Sequence, residues 1–158
     1  MNLQEIKAAV VAGHTVHWKN EGYEVTRDGD QWWVTFTRNG SGVGLAHQDG
    51  VTLIGQELDF FCPHFIRRDT LEMAYACGLE TVNEAIGNVH HHAMQIWPYG
   101  EIGTRLEQLD MAFRDVSVLD KVTDHITPER QKQLDAELDQ AMIAAAQGGE
   151  GAEHLGEL

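Results

Sequence analysis

The chain has 158 residues, about the length of one domain, and 42% of them are hydrophobic, which excludes a disordered or collagen-like polymer. Its 25 Asp and Glu outnumber 11 Lys and Arg, so the net charge is −14, and direct binding to nucleic acid or anionic lipid is disfavoured. No apolar run approaches the roughly 20 residues that span a bilayer, and residues 1–5 lack a basic secretory start. We therefore expect a cytoplasmic protein without membrane contact.

The first lobe, residues 1–61, is predicted to be a helix with an antiparallel sheet. Apolar residues at helical spacing predict a helix over residues 3–12, which Gly13 ends. Alternating apolar residues then predict short strands around residues 15–19, 23–26, 31–37, 43–45 and 51–54. Asp28-Gly29 is typical of a type I′ hairpin turn. We expect a four- or five-stranded meander covered by the helix.

This lobe carries a resemblance to known proteins. The segments concerned are EIKAAV at residues 5–10, AGHTVHWKNEGYEV at 12–25, GL at 44–45, DGVTL at 49–53 and DFF at 59–61. Together they resemble the opening of small uncharacterised proteins of bacteriophages and prophages, over about residues 3–61. The resemblance implies a mobile-element context, in which short acidic proteins frequently block host machinery, as anti-CRISPR proteins do. It contains no catalytic signature and names no target.

The second lobe, residues 62–147, is predicted to consist of three or four amphipathic helices. An extended link around Pro63 precedes a helix that Thr70 caps, and Thr81 with Glu84 has capping-box spacing for a second helix. Three apolar stripes follow, the first closed by Pro98 and a turn at Tyr99-Gly100: Val82, Ile86, Val89, Ala93 and Trp97; Leu106, Leu109, Phe113 and Val116; Leu134, Leu138, Ala141, Met142 and Ala145. Thr127-Pro128 begins the last helix, and residues 148–158 read as a disordered acidic tail.

Histidine and cysteine supply the candidate metal ligands. His90, His91 and His92 are consecutive, so on a helix they point about 100° apart and cannot all face one ion. We expect His90 to be interior and His91 and His92 to face solvent or a partner. Cys62, His64, Cys77 and one of these histidines are suitable zinc-ligand types, yet their spacing matches no zinc finger or ribbon. We expect no metal and no cofactor.

No sequence motif assembles a catalytic site. The chain has no GxSxG and no phosphate-cradling GxxxxGK[ST], and Gly40–Gly44 reads as hairpin turn chemistry. Cys77 lies beside Ala74, Ala76 and Leu79, where a free cysteine is typically an apolar core filler. We therefore expect no catalytic residues and no enzymatic turnover.

Aromatic and acidic residues are the candidate partner contacts. Trp32 and Trp33 must point to opposite faces of the sheet, so one is core, and the second is either covered by the helical lobe or, with Tyr23, an exposed anchor. Residues 63–158 hold 17 acids and 7 bases. The carboxylates that we expect to meet a partner are Glu107, Asp110, Asp115, Asp135 and Asp139. A solvated helix face and a surface that mimics the phosphates of a duplex both fit this pattern.

The sequence therefore predicts an α+β protein that works by stoichiometric binding. Its expected partner is a host protein or protein–nucleic-acid complex with a basic surface, inhibited as a defence complex, with a homodimer as a further option. One rival function is a metal-binding hydrolase or nuclease that uses the His and Cys set. A second is a structural or assembly factor, whose helical face would join copies of the chain.

Overall fold

The computed structural model describes residues 1–96 and 99–149, and over them the chain is an α+β fold, as predicted. The first part contains α1 (Leu3–Val11), β1 (His17–Trp18), β2 (Asn20–Asp28), β3 (Gln31–Phe36), β4 (Gly42–Gly44) and β5 (Phe60–Phe61). The second part contains α2 (Pro63–Ala76), α3 (Val82–Ile96), α4 (Tyr99–Ala112) and α5 (Pro128–Gly149). Short 3-10 turns lie at Glu57–Asp59 and Val122–His125.

The helix α1 begins with a complete capping box. The Asn2 side chain accepts hydrogen bonds from the backbone N–H groups of Gln4 and Glu5. The Glu5 carboxylate in turn accepts a hydrogen bond from the backbone N–H of Asn2. Ile6 and Ala9 are buried on the face that meets the sheet. With Val16, Val25, Val34, Leu45, Phe60 and Cys62, they form the first hydrophobic core. The predicted cover of the sheet by the N-terminal helix is therefore confirmed.

The sheet is antiparallel with the strand order β4-β3-β2-β1-β5. The predicted strand over residues 51–54 is wrong, because only an isolated bridge between Ala46 and Leu53 forms there. The fifth strand is β5, which pairs with β1 at the opposite edge. Two consecutive phenylalanines show no alternation, so the sequence pattern did not mark them as a strand.

The β2–β3 hairpin has a different turn from the predicted one. Asp28 pairs with Gln31, so the central residues are Gly29 and Asp30. Gly29 has a φ of 59°, whereas Asp30 is not among the residues with positive φ. Positive φ at the first central residue alone is the type II′ pattern rather than type I′.

The helices α2 to α5 enclose the second core. Its buried members are Leu71, Ala74, Val82, Ala85, Leu109, Ala112, Phe113, Val122, Ile126 and Leu134. The central helix is α2, against which α3, α4 and α5 pack. The predicted capping box at Thr81 and Glu84 is present, and Thr127 accepts from the backbone of Arg130 at the start of α5.

Several boundaries in the helical part differ from the prediction. Pro63 is the first residue of α2 rather than part of an extended link, because proline fits the first helical turn. Thr70 is therefore interior, and its hydroxyl donates to the carbonyl of Ile66 at 2.7 Å. The expected turn at Tyr99-Gly100 is instead the beginning of α4. Trp97 and Pro98 lie outside the described residues, as do residues 150–158 of the predicted tail.

The two cores are joined by the chain from β5 into α2 and by the ion pair between Arg114 and Glu21. His17 and Phe61 pair across β1 and β5, and both are buried on the sheet face opposite the first core. Among the described helices, none combines the length and the apolar character that a bilayer crossing requires.

Candidate functional site

An apolar groove lies between α2 and α3. It has a volume of about 410 Å³. Met73 of α2, the capping residue Cys77 that follows α2, and Val89, His92 and Ile96 of α3 line it. Ala74, Ala85 and Ala93 give its floor small side chains, which is why two packed helices leave a groove there.

The rim of the groove exposes large apolar side chains. Met73 is 64% exposed and Ile96 is 72% exposed. Cys77 is also exposed, so the expectation that it fills the core is wrong. It caps the C-terminus of α2 just before Gly78, whose φ of 72° turns the chain out of the helix. The thiol is therefore available at the groove.

No described residue covers the second half of α5. Leu134 is buried and Leu138 is half-buried, but every residue from Asp139 to Gln147 is exposed. Met142 is 69% exposed and Ile143 is 58% exposed. The predicted packing of Ala141, Met142 and Ala145 is therefore wrong. We call residues 139–147 the arm.

The five predicted acidic contacts are all exposed, but they do not form one cluster. Asp110 on α4 lies 3.7 Å from the Nε2 atom of His90 on α3, and Asp135 on α5 accepts a hydrogen bond from the Tyr75 hydroxyl at 2.9 Å. Asp115 follows the end of α4. Among the described residues, Glu107 and Asp139 make no salt bridge. The carboxylates therefore come from two elements, α4 with the segment after it and α5, and we call these two sets the acidic faces.

The three consecutive histidines take three different places on α3. His90 is half-buried between α3 and α4, close to the expected interior position, and its Nε2 atom has no hydrogen-bond partner among the described residues. His91 is exposed and meets Gln95 at 3.0 Å, and His92 lines the groove. The described residues contain no group of three or more His, Cys, Asp or Glu placed to hold a metal ion.

A second histidine pair lies where the two parts of the fold meet. The rings of His14 and His64 stack with their centroids 4.6 Å apart, and Phe65 packs edge-on against His14. Burial lowers the pKa of His64, and the nearby His14, Arg67 and Arg68 lower it further. Cys62 beside this pair is buried.

The aromatic candidates are mostly committed to the fold. Tyr23 packs against Phe36 and Trp18 and borders the first core, so its ring is not free for a partner. Trp32 borders the same core beneath Lys7 and Arg27. Trp33 is half-buried on the other face, across from Thr26 and Gly44, and belongs to neither core. The expected opposition of the two tryptophans is present.

Sequence reasoning missed the groove residues Met73, Ile96 and Cys77. A helical pattern predicts that every apolar residue at core spacing is buried. The position of a groove depends on the distance between two helices, which the sequence pattern does not contain. The one sequence signal was the row of alanines at 74, 85 and 93, which permits close approach but does not say where packing stops.

No protein-family model, no curated protein and no solved structure matched this chain.

Proposed function

We propose that the protein works by stoichiometric protein binding through its helical part, as an accessory protein of a phage or other mobile element. The observation that carries this proposal is the open groove between α2 and α3, with Met73 and Ile96 exposed at its rim. Exposed apolar surface bordered by polar residues is characteristic of protein interaction sites, and helices are common occupants of such grooves.

The charge of the chain indicates the kind of host partner. A molecule of net charge −14 attracts basic surfaces and repels phosphates, so a nucleic-acid-handling protein is a better partner than the nucleic acid itself. We place this contact on the exposed carboxylates of α4 and α5. The proposed outcome is inhibition of a host defence complex by occupying its basic channel.

A titration against the host target tests whether binding is stoichiometric. The target is first identified by pull-down from the natural host with mass spectrometry. Inhibition should then rise in proportion to the molar ratio and saturate near equivalence, because no turnover is involved. Complete inhibition at a small fraction of one equivalent would contradict the proposal and favour an enzyme.

Charge reversal tests the acidic contact. Glu107→Lys with Asp115→Lys should leave the melting temperature nearly unchanged, since neither side chain holds the fold together. Association with the target should slow by well over tenfold and should weaken with added salt, because the Debye length is only about 8 to 10 Å near physiological ionic strength.

The control for charge reversal is Lys132→Glu. This substitution also reverses the charge of an exposed side chain, but it makes the chain more acidic, so it should not slow association. If the Lys variants bind normally and the loss maps instead to Trp33, Tyr23 or the His91–His92 edge, the acidic faces are only solvated surface. The proposed basic partner would then be abandoned.

The arm favours a second candidate, a structural or assembly factor. An uncovered apolar helix is a means of joining copies of a chain, which fits a component of an assembly as well as an inhibitor. Filament or ring formation in electron micrographs of the purified protein would support this function over inhibition.

A further inference from the structure

We propose that the groove between α2 and α3 binds the arm of a second copy of this chain, so that the protein is a reciprocal homodimer. The inference rests on the proposed function for the groove being a protein-binding surface; it names a second copy as the occupant, and the host contact is then made by the acidic residues. Each copy would supply one arm and one groove, which closes the assembly at two chains instead of allowing a filament.

The described part of the chain leaves the arm without a partner. The helix α5 is continuous from Pro128 to Gly149, yet Leu134 is its last buried side chain among the described residues, and Leu138 is only half-buried. Met142 and Ile143 then expose more than half of their surface. Since solvated apolar side chains gain free energy on burial, this exposed helix is suited to docking.

The dimensions of arm and groove agree. At a rise of about 1.5 Å per residue, the arm from Asp139 to Gln147 is about 12 Å long. The groove runs along α2 from Asp69 to Cys77, which is also about 12 Å, and along α3 from Ala85 to Ile96, about 16 Å. The alanines of the arm would allow the close approach that the small side chains of the groove floor permit.

The charge pattern selects this occupant over a basic helix. No charged residue occurs between Asp139 and Glu150, although 23% of the whole chain is charged. Of the groove residues, only Asp69 is permanently charged near neutral pH, and its carboxylate already lies 3.6 Å from Arg68. Asp139 is the first residue of the arm, and residues 140–147 carry no charge, so they can meet the apolar part of the groove without leaving buried charges unpaired.

The proposed dimer leaves the carboxylates of α4 and of the segment after it outside the contact, whereas Asp139 lies at the start of the arm. Glu107 and Asp115 do not line the groove and lie outside the arm, so both copies would present them to solvent. Dimerisation and binding to a basic host partner can then occur together, with two acidic surfaces in one particle.

Analytical ultracentrifugation of the full chain at several salt concentrations is the first test. Two copies of charge −14 repel each other, so raising salt from about 0.1 M to about 1 M, where the Debye length falls from about 10 Å to about 3 Å, should strengthen the dimer. A monomer at about 100 µM in both salts, or a dimer that salt dissociates, would overturn the inference.

Variants on each side locate the contact. Met142→Asp on the arm and Met73→Asp on the groove should each weaken dimerisation at least tenfold, because each places a carboxylate in the apolar contact. The matched control is Leu119→Asp, an equal change at a side chain that is 84% exposed and outside both surfaces. Equal weakening by the control would contradict the proposed contact.

Mixing two variants distinguishes arm-to-groove docking from arm-to-arm pairing. A Met142→Lys chain retains a normal groove and a Met73→Asp chain retains a normal arm, so their heterodimer has one intact contact and one with opposite charges. The mixture should dimerise at least tenfold more tightly than either variant alone, whereas arm-to-arm pairing would leave Met73→Asp alone as the tightest dimer. Failure of the mixture to recover would overturn docking of the arm in the groove.

Cross-linking gives a direct readout. Cys77 is exposed in the groove and Cys62 is buried, so Met142→Cys adds one further accessible thiol on the arm. A short bis-maleimide should give a product of two chains, and it should not do so with Leu119→Cys. A product of one chain alone from Met142→Cys would contradict the inference.

These outcomes separate the inference from the proposed function. If the chain is monomeric but still inhibits its host target at equivalence, the dimer is wrong and the function stands. If the dimer forms but the chain binds no host protein at any ratio, the dimer stands and the proposed function fails.

Discussion

Arg130 shows how a single side chain fixes the direction of α5. Its Nε and Nη2 atoms donate to the two carboxylate oxygens of Glu72 at 3.1 and 2.9 Å, and its Nη1 atom reaches Glu137 at 3.1 Å. The Glu72 side chain is only 19% exposed. A bidentate, partly buried pair of arginine and carboxylate contributes more to stability than a fully exposed ion pair.

Replacing Arg130 with alanine should destabilise the fold by about 1–2 kcal/mol, because Glu72 would keep its charge without its partner. The measurement is urea unfolding at neutral pH. Lys132→Ala removes the same charge from the same helix, where Lys132 is exposed and makes no salt bridge with any described residue, and should change stability by less than about 0.5 kcal/mol. Equal effects from both would show that the pair contributes nothing.

The same pair predicts a dependence on pH. The hydrogen bonds from Arg130 lower the pKa of Glu72 below 4.5 in the folded protein. The stabilisation is therefore fully present above the ordinary pKa and is lost as the pH falls through the lowered one. The difference in unfolding free energy between the parent and Arg130→Ala should accordingly shrink below pH 4.5.

At the scale of elements, α5 has two unequal halves. The first half contributes Leu134 to the second core and Arg130 to α2, whereas the arm contributes no buried side chain. An isolated helical end gains little stability from propensity alone. Within one chain, the arm is therefore dispensable for folding.

Removing residues 139–158 should leave the free energy of unfolding within about 0.5 kcal/mol of the parent, since every described side chain from Asp139 to Gln147 is exposed and exposed side chains contribute little. The measurement is urea unfolding of dilute protein, where association adds nothing to stability. The control is Leu134→Ala, which empties a core position and should cost about 2–4 kcal/mol. A large loss on truncation would show that the arm packs within its own chain.

At the scale of the whole molecule, the candidate zinc ligands lie in different places relative to the two cores. Cys62 belongs to the first core and His64 stacks on His14 beside it, while Cys77 lies at the groove and His90 between α3 and α4. The residues that looked suitable for zinc are therefore spread over separate places of the described structure.

We expect the purified protein to contain no tightly bound metal and to keep its circular dichroism spectrum in a chelator. Elemental analysis of protein purified without added metal is the measurement. One zinc per chain, together with loss of structure in Cys62→Ala or His64→Ala but not in Cys77→Ala, would instead support the hydrolase or nuclease.

The sequence by itself determined most local structure. Asn2 with Glu5, Thr81 with Glu84, and Thr127 before Pro128 place three helix starts, because capping depends on residues a few positions apart. Side chains alternate between the two faces along β2 and β3, so the paired residues Val25 and Val34 lie on the same inner face of the sheet. This pattern also depends only on residues close together in the sequence.

Only the tertiary structure decided which apolar faces become covered. Leu134 and Met142 follow one helical pattern, yet α2 reaches the first and no element of the described chain reaches the second. Phe60–Phe61 became a strand because β1 offered a free edge, and Met73 and Ile96 frame a groove because α2 and α3 pack over alanines. The period of apolar residues predicts which side chains are suited to burial, whereas the distances between elements determine which of these side chains are buried.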